Sequence, residues 1–222
     1  MDTPFLLGSV AAALHVCGYA LYLGLAIRKV IEPNAITWLM FAYGTTLLAT
    51  LEAVSGAAIP ELMLPVICAT LAVVVAGRCW IVSGFRWDGD WVDTLVFAAD
   101  VLLTVLFVSV FAWSQWGSLS AEAAALAYVV FLLLSNLTSI TSFLPMLRST
   151  WVAPKREDWR PWVCWTFAYL CLGAATSLND RSDHFWILML YPASNAIMHG
   201  GVALISLLRA GPTPLAATRT PA

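Results

Sequence analysis

The sequence has little charge of either sign. Only 11% of its 222 residues are Asp, Glu, Lys or Arg, whereas 61% are hydrophobic. A soluble domain of this size needs more polar side chains to cover its surface, so the composition indicates a membrane protein. The formal net charge of −2 leaves no basic surface suited to nucleic acid, and we expect no nucleic-acid partner.

Cysteine motifs are also missing. The five cysteines have no CxxC spacing and all fall in apolar stretches: Cys17, Cys68, Cys79, Cys164 and Cys171. A disulfide framework or a zinc site needs loop cysteines or short spacings, so we interpret these cysteines as packing residues and expect no metal and no cofactor. Phosphate-binding loops, nucleophile elbows and HExxH motifs are absent as well, which argues against an enzyme.

What the sequence does contain is seven apolar stretches, each long enough to cross the roughly 30 Å core of a bilayer. They cover residues 5–27, 35–56, 60–83, 92–114, 121–147, 162–179 and 185–208. With seven spans, ten of the eleven Lys and Arg residues fall on one side, and only Arg181 falls on the other. Because basic residues collect on the cytoplasmic side, we predict an all-α, multi-pass protein of the inner (plasma) membrane. Its amino terminus lies outside and its carboxyl terminus in the cytoplasm.

The chain also resembles itself at an offset of 127 residues. The matched pairs are Trp38 with Trp165, Pro65 with Pro192 and Cys68 with Asn195. This repeat predicts two parallel three-helix bundles joined by a linker helix, and repeated bundles usually place a solute site between their halves. The predicted units are a first bundle (1–84), a linker transmembrane helix (85–118), a second bundle (119–209) and a disordered cytoplasmic tail (210–222).

This three-plus-one-plus-three layout resembles the SWEET and PQ-loop superfamily. The segment Phe143-Leu-Pro145-Met146-Leu-Arg148 is similar to the proline-glutamine turn of that family, with Met146 in place of glutamine. The first bundle has lost both residues at the matching place, so a proline kink is expected only in the second. The segment 32–38, which reads EPNAITW, is also similar to a motif of bacterial membrane proteins, and it implies no substrate. The superfamily resemblance implies that Asn195 contacts the substrate, although its counterpart Cys68 departs from that pattern.

Polar residues inside apolar spans predict the solute path. Such residues are costly in lipid and usually face the interior of a bundle, and here they recur on single helix faces. The candidate substrate-binding residues are Asn195, Trp165, Trp38, Cys68, His199, Tyr19, His15 and Tyr169. The alternative interpretation makes the tryptophans an interfacial belt and the histidines and hydroxyls packing residues.

Five further residues receive other roles. Glu52 and Asn179, near the outer ends of their spans, and Pro145, in the turn motif, are candidates for gating or an entrance. Asp100 lies deep in the fourth span, where an unpaired carboxylate costs several kcal/mol. We therefore expect it to have a structural role, in a charge pair with Arg78 or hydrogen-bonded to helix-packing hydroxyl groups. Proton coupling is the alternative role.

Three functions remain open at this point. We favour a transporter or facilitator of a small polar metabolite, of the sugar, nucleoside, vitamin or amino-acid class, working by alternating access. A non-transporting receptor of the same fold and an intramembrane enzyme are the alternatives. A retinal protein is excluded because it needs a lysine in the last span, and the lysines are Lys29 and Lys155, both in loops. The expected partners are the small solute, the lipid bilayer and, as an open question, a second copy of the chain.

Overall fold

A computed structural model describes residues 2–83, 87, 89–117, 119–179 and 185–209. These residues are all-helical apart from short connections, with no strand among them, and the predicted all-α class is confirmed. The elements are α1 (Thr3–Ile27), α2 (Ala35–Val54), α3 (Ile59–Ser83), α4 (Trp91–Trp116), α5 (Ala121–Thr141), α6 (Leu144–Val152), a 3-10 turn (Pro154–Arg156), α7 (Trp159–Asn179) and α8 (Phe185–Arg209).

Polar residues between the apolar stretches begin the helices. The Asn34 side chain accepts hydrogen bonds from the backbone N–H groups of Ile36 and Thr37. The asparagine of the EPN segment is therefore the N-cap of α2. Asp90 and Asp93 form a reciprocal capping box at the start of α4. The Ser120 side chain caps α5 by accepting a hydrogen bond from the Ala123 N–H group.

Five segments are long and apolar enough to cross a membrane. They are α1, α3, α4, the combined stretch of α5 and α6, and α8. The other two long helices, α2 and α7, have 20 and 21 residues but are less apolar. In α2, 13 of the 20 residues are buried inside the protein.

Taken in chain order, α1–α3 form a first group of helices and α5–α8 a second, with α4 between them. In one group α3 packs against both α1 and α2, and in the other α8 packs against α7, α5 and α6. The seams between the groups are formed by α1 against α7 and by α2 against α5. The helix α4 packs mainly against α5, with a smaller contact to α2.

Two glycines allow α1 to approach its neighbours closely. A Cβ atom at Gly8 would overlap the Pro60 carbonyl group of α3, and one at Gly18 would overlap the Trp165 indole of α7. Small residues at such positions let helices pack tightly in a membrane, where the hydrophobic effect gives no drive for association. The face of α1 that carries both glycines is therefore enclosed from two sides.

The predicted fifth span, 121–147, is divided in the structure. The helix α5 ends at Thr141, and α6 begins at Leu144 with Pro145 in its first turn. A proline lacks the N–H group that a continuing helix would need, but it fits the first turn of a new one. The interruption predicted near Pro145 is confirmed, and α1 runs unbroken, whereas the gating role of Pro145 stays a prediction. The predicted tail, 210–222, lies outside the described residues.

Candidate functional site

A small cavity lies at the centre of the bundle, where the two groups of helices meet. Its volume is about 20 Å³, room for a single water molecule. Aromatic and polar side chains form its wall: Tyr19, Trp38, Phe41, Thr45, Cys68, Ser139, Phe143, Trp162, Trp165, Tyr169, Asn195 and His199. Seven of the eight residues predicted to bind substrate are among them, and the eighth, His15, packs directly behind. That they bind a solute stays a prediction.

Aromatic rings enclose most of the cavity. The Trp165 ring lies 5.0 Å from the rings of Tyr19 and Trp162 and 6.0 Å from that of Trp38, measured between centroids. These contacts are tilted or T-shaped, the arrangements that aromatic pairs prefer. A tryptophan belt at the membrane surface would not converge in this way, so Trp38 and Trp165 are interior residues, each 1% exposed.

Asn195 presents an unused hydrogen-bonding atom at the wall. Its amide nitrogen donates to the Tyr191 carbonyl oxygen at 3.0 Å. Its amide oxygen accepts no hydrogen bond from the residues that the structure describes. One turn later, His199 Nδ1 donates to the Asn195 carbonyl oxygen at 2.8 Å. Within the described part of the chain, Asn195 therefore combines a fixed orientation with an amide oxygen that has no donor.

The two membrane histidines lie on either side of the same rings. The His15 ring is 5.3 Å from that of Tyr169, and the His199 ring is 4.9 Å from it. Both ring nitrogens of His15 are buried, and neither has a hydrogen-bond partner among the described residues. The backbone of His15 is held by Trp165, whose Nε1 donates to the His15 carbonyl oxygen at 3.2 Å. His15 thus supports the wall from behind.

A line of hydroxyl and thiol groups leads from the cavity toward Glu52. The Tyr19 hydroxyl lies 3.6 Å from Cys68 Sγ, and the Tyr169 hydroxyl donates to the same sulfur at 3.7 Å. Tyr169 also shares a hydrogen bond of 3.1 Å with the Tyr191 hydroxyl, which interacts electrostatically with the Glu52 carboxyl group. Glu52 was predicted near an entrance, but it is only 4% exposed, and its Oε2 has no partner among the described residues.

A larger cleft opens at the end of the bundle where α2 and α4 end and α3, α5 and α8 begin. Its volume is about 760 Å³, and Glu61, Gln115 and Tyr128 contribute polar groups to its wall. Glu61 accepts a hydrogen bond of 2.8 Å from the Ala58 N–H group in the turn that joins α2 to α3. Asn179, the other predicted entrance residue, ends α7, and its side chain lies outside the described residues.

The opposite end of the cavity is closed by a residue that the sequence did not single out, Glu157. This loop side chain is 6% exposed and accepts two hydrogen bonds of 3.0 Å, from the Tyr22 hydroxyl and from Trp162 Nε1. Trp38 Nε1 donates in turn to the Tyr22 hydroxyl at 2.9 Å. Burial raises the pKa of Glu157 from 4.5 to about 8. In sequence Glu157 stands in a run of charged residues typical of a solvated loop, and we find no pattern that would have revealed it.

The predicted charge pair between Asp100 and Arg78 is wrong. Among the described residues no ion pair joins them, and both Asp100 carboxyl oxygens are buried without a hydrogen bond. The reason is the packing, because Asp100 lies on α4, which packs against α5 and α2, whereas Arg78 lies on α3. The polar side chain that approaches Asp100 is Thr138 of α5. The acidic start of α4 has a different basic partner, Arg148, which lies 2.7 Å from Asp90.

Comparison with known proteins adds no assignment. No family model, no curated protein and no solved structure matches the chain. The resemblance to the SWEET and PQ-loop superfamily therefore rests on the sequence motifs and remains a prediction.

Proposed function

We propose that the chain is a seven-span membrane transporter of a small polar solute, with two three-helix bundles alternating access to the central cavity. The observation that carries the proposal is the cavity itself. It brings together polar and aromatic side chains that are far apart in sequence, from both groups of helices, as expected of a solute site between two bundles.

The packing order supports two equivalent bundles. In each group the third helix packs against the first and the second, α3 in one case and α8 in the other. The first helix of one group meets the second helix of the other along each seam, as a pseudo-twofold relation between parallel units requires. In this proposal α4 is the linker between the bundles.

Enclosure supports counting α2 and α7 as spans. A helix that neighbours shield from lipid contacts fewer acyl chains, and its surface needs less apolar area. Both helices carry wall residues of the cavity, Trp38 on α2 and Trp165 on α7. With these two included, the chain crosses seven times, and the bias of basic residues places the carboxyl terminus in the cytoplasm.

The two ends of the path differ in this structure. The 760 Å³ cleft lies at the outer end in the proposed orientation, and the line of Tyr191 and Tyr169 separates it from the cavity. The Glu157 side chain, with Tyr22 and Trp162, closes the cytoplasmic end. Closure on both sides of the cavity supports a closed state in the proposed transport cycle.

Asn195→Ala tests the proposal. A thermal-shift screen of the purified protein against small metabolites identifies a ligand, and liposome flux then tests its transport. Loss of a pocket hydrogen bond costs about 1–3 kcal/mol, so Asn195→Ala should weaken binding by roughly 5- to 150-fold.

Asn136→Ala is the matched control. The Asn136 side chain is also buried and also donates to the carbonyl oxygen four residues earlier, at 2.9 Å, but it does not line the cavity. Its removal should leave affinity unchanged. Two outcomes would contradict the proposed function. Asn195→Ala and Asn136→Ala would change the affinity equally, or the protein would bind the ligand without transporting it across the liposome membrane.

A further inference from the structure

Among the described residues, the buried Asp, Glu, Lys and Arg side chains are all acidic. The five are Glu52, Glu61, Asp93, Asp100 and Glu157. Asp93 has the arginine Arg148 within 3.9 Å. Because a buried carboxyl group is costly in an apolar interior and is often functional, the two toward the ends of the cavity, Glu52 and Glu157, are candidates for a functional role.

Among the described residues, no arginine pairs with Glu52 or Glu157. The ion pairs of the described residues join Arg148, Arg156 and Arg160 to Asp90, Asp93, Glu32 and Asp158. These arginine side chains are about half exposed, at 47%, 59% and 52%. Glu52 and Glu157 take part in none of these pairs.

The cavity between these two carboxyl groups is built from electron-rich ring systems. Trp38, Trp162, Trp165, Tyr19 and Tyr169 all contribute to the wall, and no lysine or arginine does. The faces of such rings attract ammonium groups, and recognition of quaternary ammonium compounds by aromatic cages is the main functional use of this attraction. A sugar or an anion would gain less from this lining, since Asn195 is the one amide among the wall residues.

Both carboxyl groups lie close to the cage. Glu157 accepts a hydrogen bond from Trp162, which is itself a wall residue. Glu52 lies two turns beyond the wall residue Thr45, on the same face of α2. A cation in the cavity would therefore have a carboxyl group toward each end of the path.

We infer that the central cavity binds the ammonium group of an organic cation, with the indole and phenol rings around it, and that entry of the cation releases the protons of Glu52 and Glu157 to water, so that a carboxylate then lies toward each of its two sides. The inference deepens the proposed function, since it names the class of solute that the same site takes. The cavity of about 20 Å³ is too small for such a group, so the rings must move apart when the ligand enters.

The test compares a cation with its uncharged isostere. Choline and 3,3-dimethylbutan-1-ol have nearly the same shape and differ in the charge, and tetramethylammonium and methylammonium extend the series. We expect the cations to raise the melting temperature of the purified protein and the alcohol to leave it unchanged. Replacing Trp165 by leucine should weaken choline binding by roughly 5- to 30-fold, the range of a desolvated cation–π contact.

Trp113→Leu is the matched control, because Trp113 lies on α4, is exposed and does not line the cavity. Binding of the alcohol as strongly as choline, or no binding of any of the three cations, would overturn the inference. The comparison of choline with the uncharged alcohol on the wild-type protein tests the inference even if Trp165→Leu fails to fold.

Flux separates this inference from the proposed function. Trp165-dependent binding of choline without choline flux in liposomes would support the cation site and reject transport. Asn195-dependent flux of an uncharged solute, with no cation bound, would support transport and overturn the cation site.

Discussion

The opening of the cytoplasmic end of the bundle should depend on pH, and replacement of Glu157 by glutamine should remove that dependence. Glu157 is 6% exposed, and burial is the main reason that its pKa lies at about 8 rather than 4.5, with Asp158 raising it further. The hydrogen bonds from Tyr22 and Trp162 lower the pKa but do not offset burial. The thiol of Cys79 on α3 is the other titratable group that interacts with this carboxyl group.

The direction follows from the raised pKa. In the closed structure the protonated acid is favoured, whereas in an opened end the carboxyl group meets water and recovers its ordinary pKa. Stabilisation of the closed state is fully present below pH 4.5 and is lost as the pH rises to about 8. The complete loss is about 5 kcal/mol, at about 1.4 kcal/mol per pH unit. Between about pH 6 and pH 8.5 the ratio of closed to open forms should fall roughly 75-fold.

Hydrogen–deuterium exchange of the segment 156–165 measures this opening. Intrinsic exchange rates depend on pH, so wild type and Glu157→Gln are compared at the same pH. The wild-type opening, relative to that of the variant, should increase roughly 75-fold between about pH 6 and pH 8.5. Glutamine can retain the hydrogen bond from Trp162. Loss of the hydrogen bond from Tyr22 changes the free energy of opening by about 1 kcal/mol at both pH values, so it cancels when the two are compared.

Asp158→Asn is the control for this experiment. The hydrogen bonds from Arg160 hold the pKa of Asp158 below its ordinary value of 3.8, so Asp158 stays ionised over the whole range. Its charge is the smallest cause of the raised pKa of Glu157, so the ratio of wild type to Asp158→Asn should change far less than that of wild type to Glu157→Gln. The ratio of the wild-type opening constant to that of Glu157→Gln is the quantity that decides. A change of less than about threefold in this ratio between about pH 6 and pH 8.5 would refute the burial of Glu157 in a closed cytoplasmic end.

Two predictions concern packing. Gly18→Ala should destabilise the protein by about 1–3 kcal/mol, because its Cβ overlaps the Trp165 indole, whereas Gly24→Ala, with open space around it, should stabilise α1 by up to about 1 kcal/mol. Melting temperatures of the two variants in detergent check this, and a shift in the same direction for both would contradict the close approach of α1 and α7. A double-mutant cycle of Arg78→Gln and Asp100→Asn should give a coupling energy within about 0.5 kcal/mol of zero, since the two side chains do not meet. A coupling above about 1 kcal/mol would restore the charge pair that the structure lacks.

Sequence periodicity was sufficient to find the helices and the residues that face inward. Apolar stretches and caps fix where a helix begins and ends, and polar residues on one face of a membrane helix point away from lipid. Tyr19, Trp38, Trp165 and Asn195 could therefore be predicted to share an interior site.

Relations between helices were harder to predict. The pattern along a helix does not say which other helix it touches, and Asp100 was for that reason paired with Arg78 on a helix that does not pack against it. Glu157 was missed for a related reason. A loop glutamate looks solvated in sequence, and only the position of the loop over Tyr22 and Trp162 buries it.

The seam between α1 and α7 also has a consequence for biosynthesis. The hydrogen bond from Trp165 to His15 joins residues 150 positions apart, and that from Tyr22 to Glu157 spans 135. On the ribosome, α1 leaves the exit tunnel long before α7 is made, so the nascent chain first inserts a helix whose inward face has no partner. The two halves complete one another only after translation has passed residue 179. A copy released before residue 157 is made lacks the Glu157 acceptor of the Tyr22 hydroxyl, and Tyr22 keeps only its hydrogen bond from Trp38.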